Sequence, residues 1–186
     1  MSKPLVIVES PTKVKTISKI LGSEYIVKSS VGHIRDLPRN SKSIPSQFDS
    51  KKILWGAVKP TGFENIYVIP DDRKKIVSEL KEIADKAPEV YLATDDDREG
   101  EAIAYHLKEA LELQGNPKRI KFNEITEAAV TNAINNPGKL DIGKFKSYEA
   151  RRTLDRMIGY EISPKVRDLG GACLLYTSDA ADELRS

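Results

Sequence analysis

Apolar positions along this chain keep two rhythms. Short apolar runs at residues 4–8, 25–31, 66–69, 89–94 and 119–122 read as strands. Between them, apolar residues recur three and four apart, the spacing of a helix with one buried face. Val14, Ile17, Ile20 and Leu21 form one such stripe, and Ile76, Leu80, Ile83 and Ala87 a second. Ala102, Ile103, His106, Leu107, Ala110 and Leu111 form a third. A last helix over residues 144–158 turns Phe145, Tyr148, Leu154 and Met157 inward and stops at Gly159. Start and stop signals agree with these assignments. Ser10-Pro11 opens the first helix and Gly22 closes it, Pro88 ends the second, and Thr126 caps a helix running through Ile134. Strands alternating with helices predict an α/β fold, a mostly parallel sheet with helices on both faces. Residues 39–65 keep neither rhythm and read as an insertion, with Phe48, Trp55 and Phe63 pinning it to the core rather than stacking on bases. Asn136-Pro137-Gly138 breaks the chain, which places a domain boundary near residues 138–143.

The polar positions concentrate at one strand-to-helix junction. Ala93-Thr94-Asp95-Asp96-Asp97-Arg98-Glu99-Gly100-Glu101 puts five carboxylates within seven positions. Helix capping needs only one of them. Crowding the others costs on the order of 1 kcal/mol per close pair even in water, a cost that a bound cation relieves. Asp95, Asp97 and Glu99 alternate, so a turn at the strand end can aim them at a common point, with Asp96 secondary. Magnesium suits such a site, because it takes one or two carboxylates and keeps several waters. Glu9 and Lys13 straddle the first strand-to-helix turn, at the same kind of sheet edge. Taken alone they read as a helix-terminal charge and a solvated lysine. The loop at residues 32–38 offers His33 and Arg35 beside Gly32. His33 suits phosphate contact or acid–base assistance, and Arg35 suits phosphate contact.

Composition changes the picture in three ways. Apolar residues make up 39% and charged residues 31% of 186, a soluble, globular balance with room for one domain and part of another. No apolar run reaches the ~20 residues of a membrane span, and residues 5–8 are too few for a signal peptide's core. Cys173 is the single cysteine, which excludes an intramolecular disulfide or a cysteine zinc cluster and points to a cytoplasmic setting. The net charge of +2 hides a division. Residues 1–60 hold eleven Lys/Arg against four Asp/Glu, whereas residues 61–115 hold seven against fourteen. A basic region beside an acidic metal site can hold a polyanion together with its cation.

Five strings carry a resemblance. The Asp-x-Asp-x-Glu pattern followed by Gly100-Glu101-Ala102-Ile103-Ala104 looks like the toprim domain of topoisomerases and primases. Residues 93–104 as a whole are similar to the type IA DNA topoisomerases of the bacterial topoisomerase I kind. So are residues 6–17, with Glu9-Ser10-Pro11-Thr12-Lys13 at their centre. Gly32-His33-Ile34-Arg35-Asp36-Leu37-Pro38, Arg119-Ile120-Lys121-Phe122-Asn123-Glu124-Ile125-Thr126, and residues 150–164 with Arg151 and Asp155 complete the set, in the family's order. The resemblance implies a Rossmann-like toprim domain over residues 1–142 and, over 143–164, the first helix of a helical DNA-binding domain. It stops there, and residues 165–186 read as a tail outside the family, foreign or disordered.

The activity implied is relaxation of negatively supercoiled DNA by transient single-strand cleavage through a 5′-phosphotyrosine link. In that mechanism Glu9 is the acid–base group, and Lys13 and Arg119 stabilise the phosphorane. Asp95, Asp97 and Glu99, with Glu9, hold Mg²⁺. His33, Arg35, Arg151 and Asp155 contact DNA. The implied partner is a single-stranded region of duplex DNA, and the parent enzyme is monomeric and nucleoid-associated. None of the seven tyrosines has the family's nucleophile surroundings, so the chain as it stands is expected to be inactive alone. The competing readings are a toprim-type nuclease or primase-like enzyme, and a catalytically silent fragment that binds DNA and Mg²⁺.

Overall fold

The computed structural model describes residues 2–115, 117–121 and 124–168. The strand β1 (Leu5–Val8) leads into α1 (Pro11–Leu21), and β2 (Ile26–Ser29) follows. After a long connection come α2 (Asp71–Lys86), β3 (Val90–Ala93), α3 (Arg98–Ala110) and β4 (Lys118–Ile120). Three further helices, α4 (Glu127–Asn135), α5 (Ile142–Glu161) and α6 (Ser163–Asp168), complete the described chain. The four strands form one sheet in the order β2-β1-β3-β4, with every pair parallel.

Alternation along the strands divides the core into two layers. Leu5, Ile7 and Leu92 face α2 and α3, where Val77, Leu80, Ile103 and Leu107 meet them. Val6, Val8, Tyr91, Ala93 and Ile120 face the other way, onto Ile17 of α1 and Val130, Ala133 and Ile134 of α4. The sheet is therefore covered on both faces, as an all-parallel sheet must be. From β1 the chain turns out to β2, whereas from β3 it turns the opposite way to β4. The carboxyl ends of β1 and β3 consequently flank the place where the winding reverses, which in open α/β sheets is where ligands bind.

Local chemistry accounts for the helix ends. The Ser10 side chain accepts from the Lys13 amide, Pro11 takes the first turn, and Gly22 ends α1 at φ +64°. Thr126 caps α4 through the Ala129 amide. Asp97 caps α3, its carboxylate accepting from Gly100 N at 2.6 Å.

Several expectations need correction. Residues 66–69 are not a strand: Val68 alone among them is a bridge residue, and among the described residues the sheet has four members. The strand expected over 25–31 stops at Ser29, because Val31 turns left-handed at φ +56°. Gly159 does not stop the last helix, which continues through it to Glu161. Leu154 is 49% exposed rather than inward. Phe122 and Asn123 of the fourth family string, and residues 169–186 of the expected tail, lie outside the described residues.

The chain divides into two compact units. The first comprises residues up to Asp36 together with Ile69–Lys146, and holds the sheet. The second comprises Leu37–Val68 and the residues from Ser147 on. Within the second unit the segment expected as an insertion is tied to α5. Asn65 accepts from Thr153 Oγ1 at 3.1 Å, Trp55 Nε1 donates to Glu161, and Arg156 donates to the Pro38 carbonyl.

Candidate active site

A cleft of about 490 Å³ opens at the carboxyl ends of β1 and β3, lined by Glu9, Ser10, Val31, Gly32, Asp95, Asp97, Glu99 and Gly100 among others. Glu9 stands at the end of β1 and Asp95 two residues past the end of β3, so parallel pairing of these strands brings together carboxylates 86 positions apart. Lys13, one turn into α1, bridges them. Its ammonium is bonded to Glu9 and donates to Asp95 Oδ1 at 2.5 Å. Glu9 Oε2 also accepts from the Asp95 amide at 3.3 Å. Partial burial pulls the Lys13 pKa down, but its bonds to Asp95 and Glu9 outweigh this and raise it. For Asp95, burial pushes up, and the hydrogen bonds with Lys13 and Glu9 hold the carboxyl below its ordinary value. Both groups are therefore charged at neutral pH.

The turn between β3 and α3 depends on Gly100. A Cβ added there would lie 2.3 Å from the Asp95 carbonyl oxygen, so only glycine lets the first turn of α3 close against the strand end. Thr94 Oγ1 donates to the Gly100 carbonyl at 2.5 Å and locks the same turn from inside. Across the cleft, Val31 takes a left-handed conformation, an outlier for a β-branched residue. Arg73 donates to its carbonyl at 2.9 Å. His33 lies 3.5 Å from Glu99. Arg35 is half-buried, and its charge helps depress the pKa of His106.

The acidic stretch does not converge on one point as its alternation suggested. Asp97 is already the helix cap, so Glu99 follows helical rotation and not strand alternation. Asp96 turns outward to Lys144 at 2.6 Å and Lys121 at 3.0 Å, whose hydrogen bonds hold its carboxyl low. Glu101 is fully buried against Arg119. Among the described residues, no three His, Cys, Asp or Glu side chains stand together as a ready metal cage. Four carboxylates, Glu9, Asp95, Asp97 and Glu99, nevertheless line the cleft and offer hard oxygen donors, with the Lys13 ammonium bonded to two of them. Magnesium requires only one or two such ligands plus water, so the residues fit that ion.

Arg119 does not face the cleft. Its side chain is fully buried, and its donors go to Glu101 and to backbone carbonyls, so it has no direct access to a reacting phosphate. Arg151 and Asp155 share one face of α5 in the second unit, 3.9 Å apart, and Arg151 is 72% exposed. The sequence reading missed Lys144 and Lys121, because nothing near either residue announces its partnership with Asp96. It also left unread why residue 100 must be glycine, although the strand-to-helix junction was visible.

This fold and cleft define a class: doubly wound α/β domains that gather carboxylates and a lysine at the topological switch point. More narrowly, the chain belongs to the Toprim domain family, which matches residues 4–125. It is 51% identical to DNA topoisomerase 1 of Mycolicibacterium smegmatis over 163 residues, which take in 86% of this chain and 17% of that protein. Against DNA topoisomerase 1 of Escherichia coli the identity is 48% over 181 residues, 88% of this chain and 21% of that protein. Among solved structures, full-length topoisomerase I from Thermotoga maritima superposes with a TM-score of 0.74 at 40% identity. That match covers 87% of this chain and 26% of the other. The chain thus spans about a fifth of the length of the curated relatives it matches.

Proposed function

We propose that this chain supplies the acid–base, metal-holding and phosphate-binding part of a type IA DNA topoisomerase, an enzyme that relaxes negatively supercoiled DNA by opening and resealing one strand. The observation that carries this reading is the Lys13 ammonium held between Glu9 and Asp95 at the switch point of the sheet. A phosphodiester in the cleft meets a proton-transfer group and a fixed positive charge within one turn of α1.

Cleavage transfers the phosphate from a 3′-oxygen to a tyrosine, leaving a 5′-phosphotyrosine link, and resealing reverses the exchange. Glu9, in its protonated form, gives the departing 3′-oxygen a proton and takes it back on resealing, while the attacking tyrosine's proton passes to solvent. Lys13 stabilises the extra negative charge of the pentacoordinate phosphate. Asp95, Asp97 and Glu99, with Glu9, are the residues that would hold Mg²⁺. The ion supplies charge neutralisation and alignment of the cut strand for resealing. His33 and Arg35, on the loop after β2, bind DNA phosphates, and Arg151 and Asp155 contact the single strand from the second unit.

Among the described residues no tyrosine lines the cleft, and Tyr91 is buried in the sheet. Without a positioned nucleophile the acid and the lysine have nothing to assist. The chain alone is therefore expected to form no covalent adduct when incubated with labelled single-stranded DNA and Mg²⁺ and then denatured. Adding a separately expressed tyrosine-bearing domain of a close relative should restore adduct formation, and Glu9→Gln should abolish it. Metal-dependent nicking by the chain alone, with no protein–DNA adduct, would instead favour a toprim-type nuclease.

A further inference from the structure

We propose that Arg119, anchored by Glu101, is the positioning residue of the cleft. It sets the direction of the Asp95 carboxylate by gripping the backbone behind it, and it does not touch the phosphate. This inference rests on the reading of the cleft as a Mg²⁺ site.

The geometry is specific. Nη1 of Arg119 donates to the carbonyls of Leu92 at 3.3 Å, Thr94 at 2.9 Å and Ile120 at 2.5 Å. Nη2 donates to the carbonyl of Asp95 itself at 2.8 Å, and Nε to Glu101 Oε2 at 3.2 Å. The guanidinium therefore gathers carbonyls from the last residues of β3 and β4 and from the turn that follows β3. Nη1 shares its two hydrogens among three carbonyls, and the planar fork still reaches five acceptors in fixed directions, which an ammonium with three donors cannot. Burying this charge is tolerable because Glu101, equally buried, balances it. Glu101 is held in turn, its Oε1 accepting from the Asp141 amide at 2.7 Å.

The Asp95 carbonyl is thus confined between Arg119 Nη2 on one side and the close approach of Gly100 on the other. Fixing that peptide plane restricts the Asp95 backbone, and with it the path of the side chain into the cleft. Groups that orient a ligand without binding the metal commonly change affinity by about 10–100-fold when altered.

The test uses the full chain, with Mg²⁺ titrated calorimetrically and amide exchange followed over residues 95–100. Arg119→Lys keeps the positive charge and removes the fork. It should weaken Mg²⁺ binding by about tenfold or more and speed exchange across that turn. Glu101→Gln should move both readouts in the same direction, and it carries the test if Arg119→Lys does not fold. Val130→Ala, in the opposite core layer, should lower the melting temperature and leave both readouts unchanged. Folded Arg119→Lys and Glu101→Gln proteins that bind Mg²⁺ within twofold of the parent would overturn the positioning role alone. A parent chain that binds no Mg²⁺ would overturn the reading of the cleft, and this inference with it.

Discussion

Lys13 and His106 show opposite uses of a basic side chain within the same unit. Lys13 stays charged because two carboxylates meet it. His106 stays neutral because burial, aided by Arg35 and His33, pushes its pKa down to about 3. Its ring lies edge-on to Phe145, with centroids 5.7 Å apart, in the packing beneath α3. A depressed histidine links stability to pH in a defined sense. Between the ordinary value of 6.5 and about 3, the unfolded chain binds the proton and the folded chain does not. Stability from this group is therefore complete above pH 6.5 and falls as the pH drops, by about 1.4 kcal/mol per unit. Urea denaturation between pH 7 and pH 4.5 should show that slope, and His106→Leu should remove it. An equally steep loss in the variant would assign the slope to other groups. In the sequence, His106 was legible as a member of the apolar stripe of its helix. Arg119 was not legible as a buried residue, because the carbonyls it binds at Leu92, Thr94 and Asp95 lie more than twenty positions away.

Elements whose ends depend on neighbouring residues were the most legible. Ser10 and Thr126 accept from amides three positions on, and the Gly22 amide donates to the Ser18 carbonyl four positions back, so their roles can be read locally. Residues 66–69 misled because an apolar run becomes a strand only when a partner edge continues beside it, and here a single residue, Val68, is bridged. The acidic stretch misled at one point for a related reason. Alternation was carried past Asp95, although the helix cap at Asp97 had already changed the period. That cap also gives Asp97 two separable duties. Asp97→Asn retains an oxygen for the Gly100 amide, so it should leave thermal stability nearly unchanged while weakening Mg²⁺ binding. Asp97→Ala should weaken Mg²⁺ binding as well and cost about 1 kcal/mol of stability from the lost cap. Parallel melting and calorimetric titrations of the two variants separate these duties. Equal Mg²⁺ affinity in parent and Asp97→Asn would remove Asp97 from the metal-holding set.

For the molecule as a whole, the alternation of strands and helices was enough to foresee a parallel sheet covered on both faces. The pairing of Leu37–Val68 with the residues from Ser147 on was not foreseen, since compactness between distant segments leaves no local signature. The DNA contacts proposed for Arg35 and Arg151 are to phosphates, so affinity for a single-stranded oligonucleotide should fall steeply as salt rises. Arg151→Ala should weaken binding to all sequences alike and make the salt dependence shallower by about one ion. A binding constant that stays flat between low and high salt would exclude this mode. The strand order has a further consequence, for synthesis. β1 lies inside the sheet, and one of its edges is completed by β3, whose first residue comes 85 positions after Leu5. At roughly 5–20 residues per second, a ribosome needs about 4–17 s to supply that partner. During that interval the Leu5–Val8 edge lacks its native partner, so it has to stay clear of other extended segments before Glu9 can meet Asp95.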